Sequence, residues 1–278
     1  MYTLEDCSEI WVAAGKHGTP EERIARSKKW MPYYDYLADK IQAKEPVLTD
    51  EPSPFVEHLL RENVITDQDT LLDIGAGMGG YDLEFARHCK HITAMEPNSA
   101  CLKVLRNNAE KLGLSNIETV QTAWEDFNPD RQYDVTFSSM CPAICNVDEL
   151  RRMETMTRRS CCLITVTRGS YDKHRKAMMA ELNIKPQGGM VTEAIHYINA
   201  LYLMGRQPNV KCVTTHRTSR VSVERVMEQY PIYFRIFGVP ERESEAFLKD
   251  YLAHHAQNGY LEDESLLKQA LIYWNVSE

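Results

Sequence analysis

Three short stretches of the chain hold residue types and spacings that could do chemistry. The first, "LLDIGAGMGGYDLEFA" at 71–86, sets a carboxylate, Asp73, ahead of Gly75, Gly77 and Gly79. Glycines at every second position let the chain turn sharply and let a ligand approach the backbone with no Cβ in the way, and the helix that follows offers its N-terminal amides. The second is Glu96 in "HITAMEPNSACL", at the end of a second apolar run. An acid about 20 residues after such a turn is placed to accept hydrogen bonds from both hydroxyls of a ribose. The third, "TAWEDF" at 122–127, puts the flat ring of Trp124 beside Glu125, a pair that can bracket an adenine and accept from its exocyclic amine. Together they point to an adenosine-containing cofactor. Gly80 completes a G-x-G-x-x-G counted from Gly75 and Gly77, so a dinucleotide fits the spacing. Asp73 adds negative charge beside the turn, which suits a cofactor with a cationic end better than a pyrophosphate.

These stretches need elements to hold them. The pattern predicts helix 55–63, strand 70–74, helix 80–88, strand 91–95, helix 98–112, strands 117–121 and 133–138, helix 146–157 and strand 160–167. Short apolar strands alternating with helices imply a parallel sheet covered on both faces. Asn146 with Glu149 reads as a capping box. Ahead of this unit, "EERIARSKKW" is helical, and Pro32 suits the first position of a new helix carrying an aromatic stripe of Trp30, Tyr33, Tyr34, Leu37 and Ile41. "EPVLTDEPSPF" at 45–55 reads as a linker, dividing an N-terminal helical segment, 1–54, from a main domain, 55–278.

Beyond 168 the alternation loosens. "YDKHRKAMMAELN" is a helix, "KPQGG" breaks it, and "MVTEAIHYINALYLMG" is a second helix ended by Gly205, with Val191, Ile195, Ile198 and Leu201 or Tyr202 as its apolar stripe. A β-rich run, "NVKCVTTHRTSRVS", precedes "VERVMEQYPIYFRIFG", helical until Pro231, and "LLKQALIYWNV" closes the chain as a last strand. The helical segments at about 170–206 and 222–240 form an insertion in the C-terminal half, on the side expected to meet substrate.

A net charge of −8 argues against a protein whose main work is to hold a long nucleic acid. Residues 151–180 depart locally from it, with eight Lys/Arg against two acids. The start, "MYTLEDCSEIWVAAG", lacks a signal peptide's basic and apolar regions, and no apolar run reaches the ~18 residues of a membrane span, so the expected location is cytoplasmic. Eight scattered cysteines read as reduced thiols. Neither the Cys141/Cys145 pair nor His254–His255 makes a metal site, so none is expected.

The succession Asp73-Ile-Gly-Ala-Gly-Met-Gly79, Glu96 and Trp124-Glu125-Asp126-Phe127 resembles the motifs of class I S-adenosylmethionine-dependent methyltransferases, and "AWEDF" is similar to that of small-molecule and lipid-modifying members. The resemblance covers roughly 55–168. It implies S-adenosylmethionine as cofactor and an α/β, Rossmann-like, seven-stranded, mostly parallel sheet whose last strand is antiparallel. Carried over by position, Asp73, Gly75, Ala76, Gly77 and Gly79 would form the amino-acid side of the cofactor pocket, Glu96 and Pro97 the ribose side, and Trp124 and Glu125 the adenine side. Ser139 and Met140 would lie near the transferred methyl. The helix around Tyr33 and Tyr34 would act as a lid.

Methyl transfer is an in-line displacement at a carbon the sulfonium has already activated, so a base is needed only when the nucleophile holds its proton. His196 and Tyr34 are the candidate catalytic residues. Relatives that methylate nucleic-acid bases often carry Asn/Asp-Pro-Pro-aromatic after the fourth strand; "SSMCPAI" lacks it, which counts against a base or glutamine acceptor. The leading expectation is a small-molecule acceptor. The alternatives are a protein or RNA methyltransferase contacting its partner through 151–180, a non-catalytic cofactor-binding partner, and an NAD-dependent oxidoreductase.

Overall fold

The computed structural model describes residues 2–15, 19–42, 52–184 and 192–277. Most of the proline-rich 45–55 stretch, the "KPQGG" break and Val191 lie outside the described residues. One sheet organises the chain: β1 (Thr70–Ile74), β2 (His91–Met95), β3 (Ile117–Val120), β4 (Tyr133–Ser139), β5 (Thr157–Val166), β6 (Tyr171–Asp172), β7 (Asn209–Ser222) and β8 (Tyr260–Asn275). Its order is β3-β2-β1-β4-β5-β8-β6, with β7 on the other edge of β8. The first five strands pair in parallel, and β8 runs antiparallel to both β5 and β7. The seven expected strands are thus joined by a two-residue eighth, β6, which pairs with Ser265 and Leu266 where β8 has run past β5.

The strands are apolar on both faces because helices cover both. Along β1 the two-residue period sends Leu71 to a cluster with Leu59, Phe85, Leu105 and Phe137, and Leu72 and Ile74 to a second with Trp124, Leu150, Tyr197 and Trp274. The first face is covered by α3 (Pro54–Arg61), α4 (Gly80–Phe85) and α5 (Ser99–Lys111), the second by α1 (Leu4–Gly15), α6 (Val147–Thr155) and α8 (Ala194–Leu203). A third cluster joins α2 (Pro20–Gln42), α7 (Lys173–Glu181), α9 (Val223–Arg235) and α10 (Glu241–His255) around Tyr33, Tyr233, Phe234, Leu248 and Tyr251.

Three sequence expectations change. Pro32 does not open a new helix: α2 runs through it. Proline removes one helical hydrogen bond, but Trp30 and Tyr33 on either side of it are held by Tyr233, at ring separations of 5.9 and 5.4 Å. Pro231 likewise lies inside α9, where it is buried. On α8 the buried face is Ala194, Tyr197, Ala200 and Leu201, while Ile195 and Tyr202 are exposed. Tyr197 decides this rotation: its ring meets Trp11 of α1 edge-on and its hydroxyl donates to the Ile144 carbonyl at 2.6 Å.

Candidate active site

The strand order reverses between β1 and β4, and in open α/β sheets the crevice outside the carboxyl ends of the strands at that reversal is where ligands bind. A cavity of about 490 Å³ lies there. Its floor is the turn after β1, with Gly75, Ala76 and Gly77, and its sides are the ends of β2, of β4 and of the segment after β3.

The turn needs its glycines for separate reasons. Gly75 has φ +79°, and a Cβ there would come 2.4 Å from Cys141 Sγ. Gly77, at φ +57°, faces open space and donates its N–H to Glu96 Oε2 at 3.1 Å. Gly79 is not among the residues lining the cavity. It begins α4 at φ +82°, and a Cβ on it would strike Leu105 Cδ1 at 2.1 Å, so it serves the packing of α4 on α5.

Glu96 is positioned from both sides. Its Oε1 accepts from the Asn98 N–H at 2.9 Å while Gly77 holds Oε2. Burial raises its affinity for a proton, and the two amide bonds oppose that. Asp73 is 3% exposed, lines the cavity, and its Oδ1 has no hydrogen-bond partner. A buried carboxylate oxygen without a partner is costly.

On the β3 side, a 3₁₀ turn over Trp124–Asp126 presents Trp124 and Glu125. Trp124 Nε1 donates to Glu149 Oε2 at 2.6 Å, and the Arg152 guanidinium lies 4.3 Å from the center of its ring. Glu149 therefore completes only half of the capping box. Its N–H bonds Asn146 Oδ1, but its carboxylate reaches Trp124 instead of the helix start.

The roof is α2, which supplies Arg23, Ile24, Ser27, Trp30, Met31 and Tyr34 among others. Arg23 pairs with Glu149 at 2.9 Å and with Glu125 at 3.7 Å, and Asn98 Nδ2 donates to Asp35 Oδ1 at 2.8 Å. One end of the roof is thus tied beside Trp124 and Glu125 and the other beside Glu96. Tyr34 belongs to this roof, and burial makes its phenol a weaker acid than usual. Ser139, Met140 and Cys141 close the far wall. Met140 takes the left-handed φ of +52°, and burial pushes the Cys141 thiol up to about 12.

The structure brings together Tyr34, Asp73, Gly75, Ala76, Gly77, Glu96, Pro97, Trp124, Glu125, Ser139 and Met140 around one cavity. His196 is elsewhere: it lies on α8 with its ring stacked on Trp11 at 6.3 Å, and does not line the cavity. Among the described residues, none from 170–206 or 222–240 lines the cavity, and α9 supports α2. Arg23, Ser27 and Met31 escaped the sequence reading because the helix was broken at Pro32. Read as one helix, Ile24, Ser27, Met31 and Tyr34 recur at intervals of three and four. Nothing local marks Asp35 as the partner of Asn98.

The cavity suits an adenosine cofactor with a cationic end. A glycine floor gives close backbone approach, Glu96 at the end of β2 and Glu125 in the turn after β3 stand on separate sides, and the buried Asp73 carboxylate lines the cavity. The fold and the cavity define a Rossmann-like, doubly wound nucleotide-binding architecture.

Residues 71–161 match the methyltransferase-domain family. An uncharacterized protein of Haemophilus influenzae is 24% identical over 82% of this chain and 84% of its own length. The (S)-tetrahydroprotoberberine N-methyltransferase of Eschscholzia californica is 36% identical over 31% of this chain and 25% of its own. A Bacillus halodurans structure, assigned as a candidate methyltransferase, superposes with a TM-score of 0.54 at 14% identity, over 81% of this chain and 99% of that one. Residues 71–161 thus carry a methyltransferase domain, and the chain shares the Rossmann-like fold of that neighbour.

Proposed function

We propose that the protein transfers the methyl group of S-adenosylmethionine to a small-molecule acceptor held between α2 and the segment after β4. The observation that carries this reading is the roof. Residues of α2 form a whole wall of a cavity whose about 490 Å³ falls within the range of small-ligand sites, and both ends of that roof are tied down. Residues 1–54 would then act as the lid through α2, while α1 is anchored on α8 through Trp11, which donates from Nε1 to Thr192 Oγ1.

Bound S-adenosylmethionine supplies a methyl already activated by its sulfonium. The chain's part is to hold the ribose through Glu96, to set the adenine against Trp124 and Glu125, and to exclude water with Trp30, Met31 and Tyr34. Tyr34 and Cys141 both keep their protons at neutral pH. They can donate a hydrogen bond toward the acceptor but do not serve as bases, and the carboxylates around the cavity are assigned to cofactor. The reading therefore favours an acceptor whose lone pair is free at working pH, such as a neutral amine.

Relatives differ in acceptor, a tetrahydroprotoberberine and a ribosomal RNA methyltransferase among them. For this chain the basic 151–180 stretch gives little support to RNA. Arg151, Arg152, Arg158, Arg159, Arg168 and Arg175 each lie within ion-pair distance of an acid of the same chain: Asp148, Glu149, Asp134, Asp69, Glu193 and Asp172. Cations engaged in this way offer little net charge to phosphates. The eight cysteines are free thiols, which fits a cytoplasmic protein. Among the described residues no helix is long and apolar enough to cross a membrane.

The test is calorimetric titration with S-adenosylmethionine, followed by methyl-transfer assays over a panel of amines, phenols and thiols and over total RNA. Binding with transfer to a small molecule is the expected result. No binding at about 1 mM cofactor, or transfer confined to RNA, would overturn the reading.

A further inference from the structure

Behind Asp73, on the side away from the cavity, lies a second acid that cofactor recognition does not account for. Asp82 is 0% exposed and neither of its carboxylate oxygens has a hydrogen-bond partner. The chain places the two acids together by simple periodicity. Asp73 shares its strand face with Leu71, toward α4 and α5, and Asp82 projects from α4 among the buried side chains Leu83 and Phe85. The two carboxyl groups are close enough for each to alter the other's affinity for a proton. Of the two, only Asp73 lines the cavity.

With no cation beside them, two ionised carboxylates cannot share a dry site this closely, so one proton between them is the stable arrangement while the site is open. The surroundings reinforce this. The titratable groups acting on the pair are Glu96 from the end of β2, Tyr81 from α4, Cys89 from the turn after α4 and Cys141 from the segment after β4. All are acids, and no cation is among them. Burial raises both carboxyls above the ordinary range; Asp82 raises Asp73 further, whereas Asp73 favours the ionised form of Asp82 and so opposes its rise.

We propose that Asp82 is a positioning residue that lets the Asp73–Asp82 pair hold one proton while the site is open, and that the ammonium of the incoming cofactor replaces that proton, which leaves to solvent. The proposal rests on the cofactor assignment and goes beyond it. The Asp73 carboxylate, which lines the cavity, receives the ammonium, and Asp82 sets how many protons the cofactor must displace. The balance is one cation in and one proton out, with no net change in the charge of the buried site. Affinity should then fall as pH falls, by about tenfold per pH unit below the range where the pair titrates, and level off above it.

The test is calorimetric titration of the full chain with S-adenosylmethionine and with S-adenosylhomocysteine at about pH 6.5, in two buffers of different ionisation heat. At that pH the cofactor's own α-amino group is already protonated. Release of up to one proton per cofactor, with both ligands, is expected. In Asp82→Asn, where the amide donates to an Asp73 already ionised, proton release and the pH slope should largely vanish while binding persists, an outcome that a merely structural role for Asp82 does not give. No net release from the wild type, release with S-adenosylmethionine alone, or undiminished release from Asp82→Asn would each overturn the proposal. The wild-type proton count decides by itself if the variant does not fold. Absence of binding at every pH would remove the cofactor assignment instead, and the proposal with it.

Discussion

Gly75→Ala with Cys141→Ala, singly and together, isolates the contact that shapes the floor of the site. An alanine at position 75 meets two separate costs. Its backbone must stay at φ +79°, in the left-handed region that costs an L-residue about 1–2 kcal/mol. Its methyl would also lie 2.4 Å from Cys141 Sγ and 3.0 Å from Cys141 Cβ, an overpacking worth about 1–3 kcal/mol in a dense interior. The single variant should therefore lose roughly 2–5 kcal/mol of stability in urea unfolding. Cys141→Ala removes the sulfur, which makes the closer of the two contacts, and leaves only the Cβ at the edge of tolerance. In the double variant the overpacking should largely disappear while the backbone cost stays, giving a favourable coupling energy of about 1–3 kcal/mol. The double variant should also regain cofactor affinity lost by Gly75→Ala, because the loop carrying Met140 and Cys141 returns to its place. A coupling under about 0.5 kcal/mol, the usual size for independent sites, would refute the contact and the placement of Cys141 beside the cofactor turn.

Asp73→Ala and Glu96→Ala should each weaken cofactor binding by roughly 1–3 kcal/mol, since each leaves polar cofactor groups unpaired; calorimetry checks this, and unchanged affinity in both would misplace the pocket. Arg23→Met removes a charge-assisted bond between roof and wall, so cofactor dissociation measured by stopped-flow should quicken by about tenfold or more, an effect that elevated salt in the wild type reproduces only in part. Alkylation mapped by peptide mass should find exposed Cys212 modified first, with Cys141 slow until the pH approaches its raised value of about 12, because only the thiolate reacts. Cofactor-free protein should become less stable as pH rises above the ordinary carboxyl range. The folded Asp73–Asp82 pair still holds a proton that the unfolded chain has released, so its contribution is complete at low pH and is lost on passing through the raised folded values. Thermal unfolding across about pH 5 to 8 should show a shallower decline in Asp82→Asn.

The strand-end side of the cavity was legible because its determinants are local. Asp73, the glycines and Glu96 sit at strand ends, where a short stretch fixes both conformation and direction. The roof was not, because it depends on how distant elements meet. Read locally, Pro32 marks a helix start, and only the aromatic cluster with Tyr233 holds α2 continuous through it. Gly79 belongs to the same motif as its neighbors, yet its reason is Leu105 on another helix. His196 had the right chemistry in the wrong place: Tyr197, one residue on, takes the buried position and turns His196 onto Trp11. Asp82 passed unnoticed because a lone acid in a helix start reads as an exposed first-turn residue, and only the strand behind it shows that it is buried.

The two faces of α2 have different obligations, and that difference bears on how such a protein can change. Ile24, Ser27, Met31 and Tyr34 face the cavity, whereas Tyr33 and Leu37 belong to the cluster that holds the helix in place, with Trp30 shared between them. Substitutions on the first set reshape the volume offered to the acceptor without touching the anchorage, and those on the second loosen the anchorage without choosing a new acceptor. Acceptor preference can therefore drift through a few positions on one helix face at small cost to stability, while the donor site stays fixed at the strand ends. Lineages descended from this arrangement should diverge in what they methylate much faster than in how they bind the methyl donor.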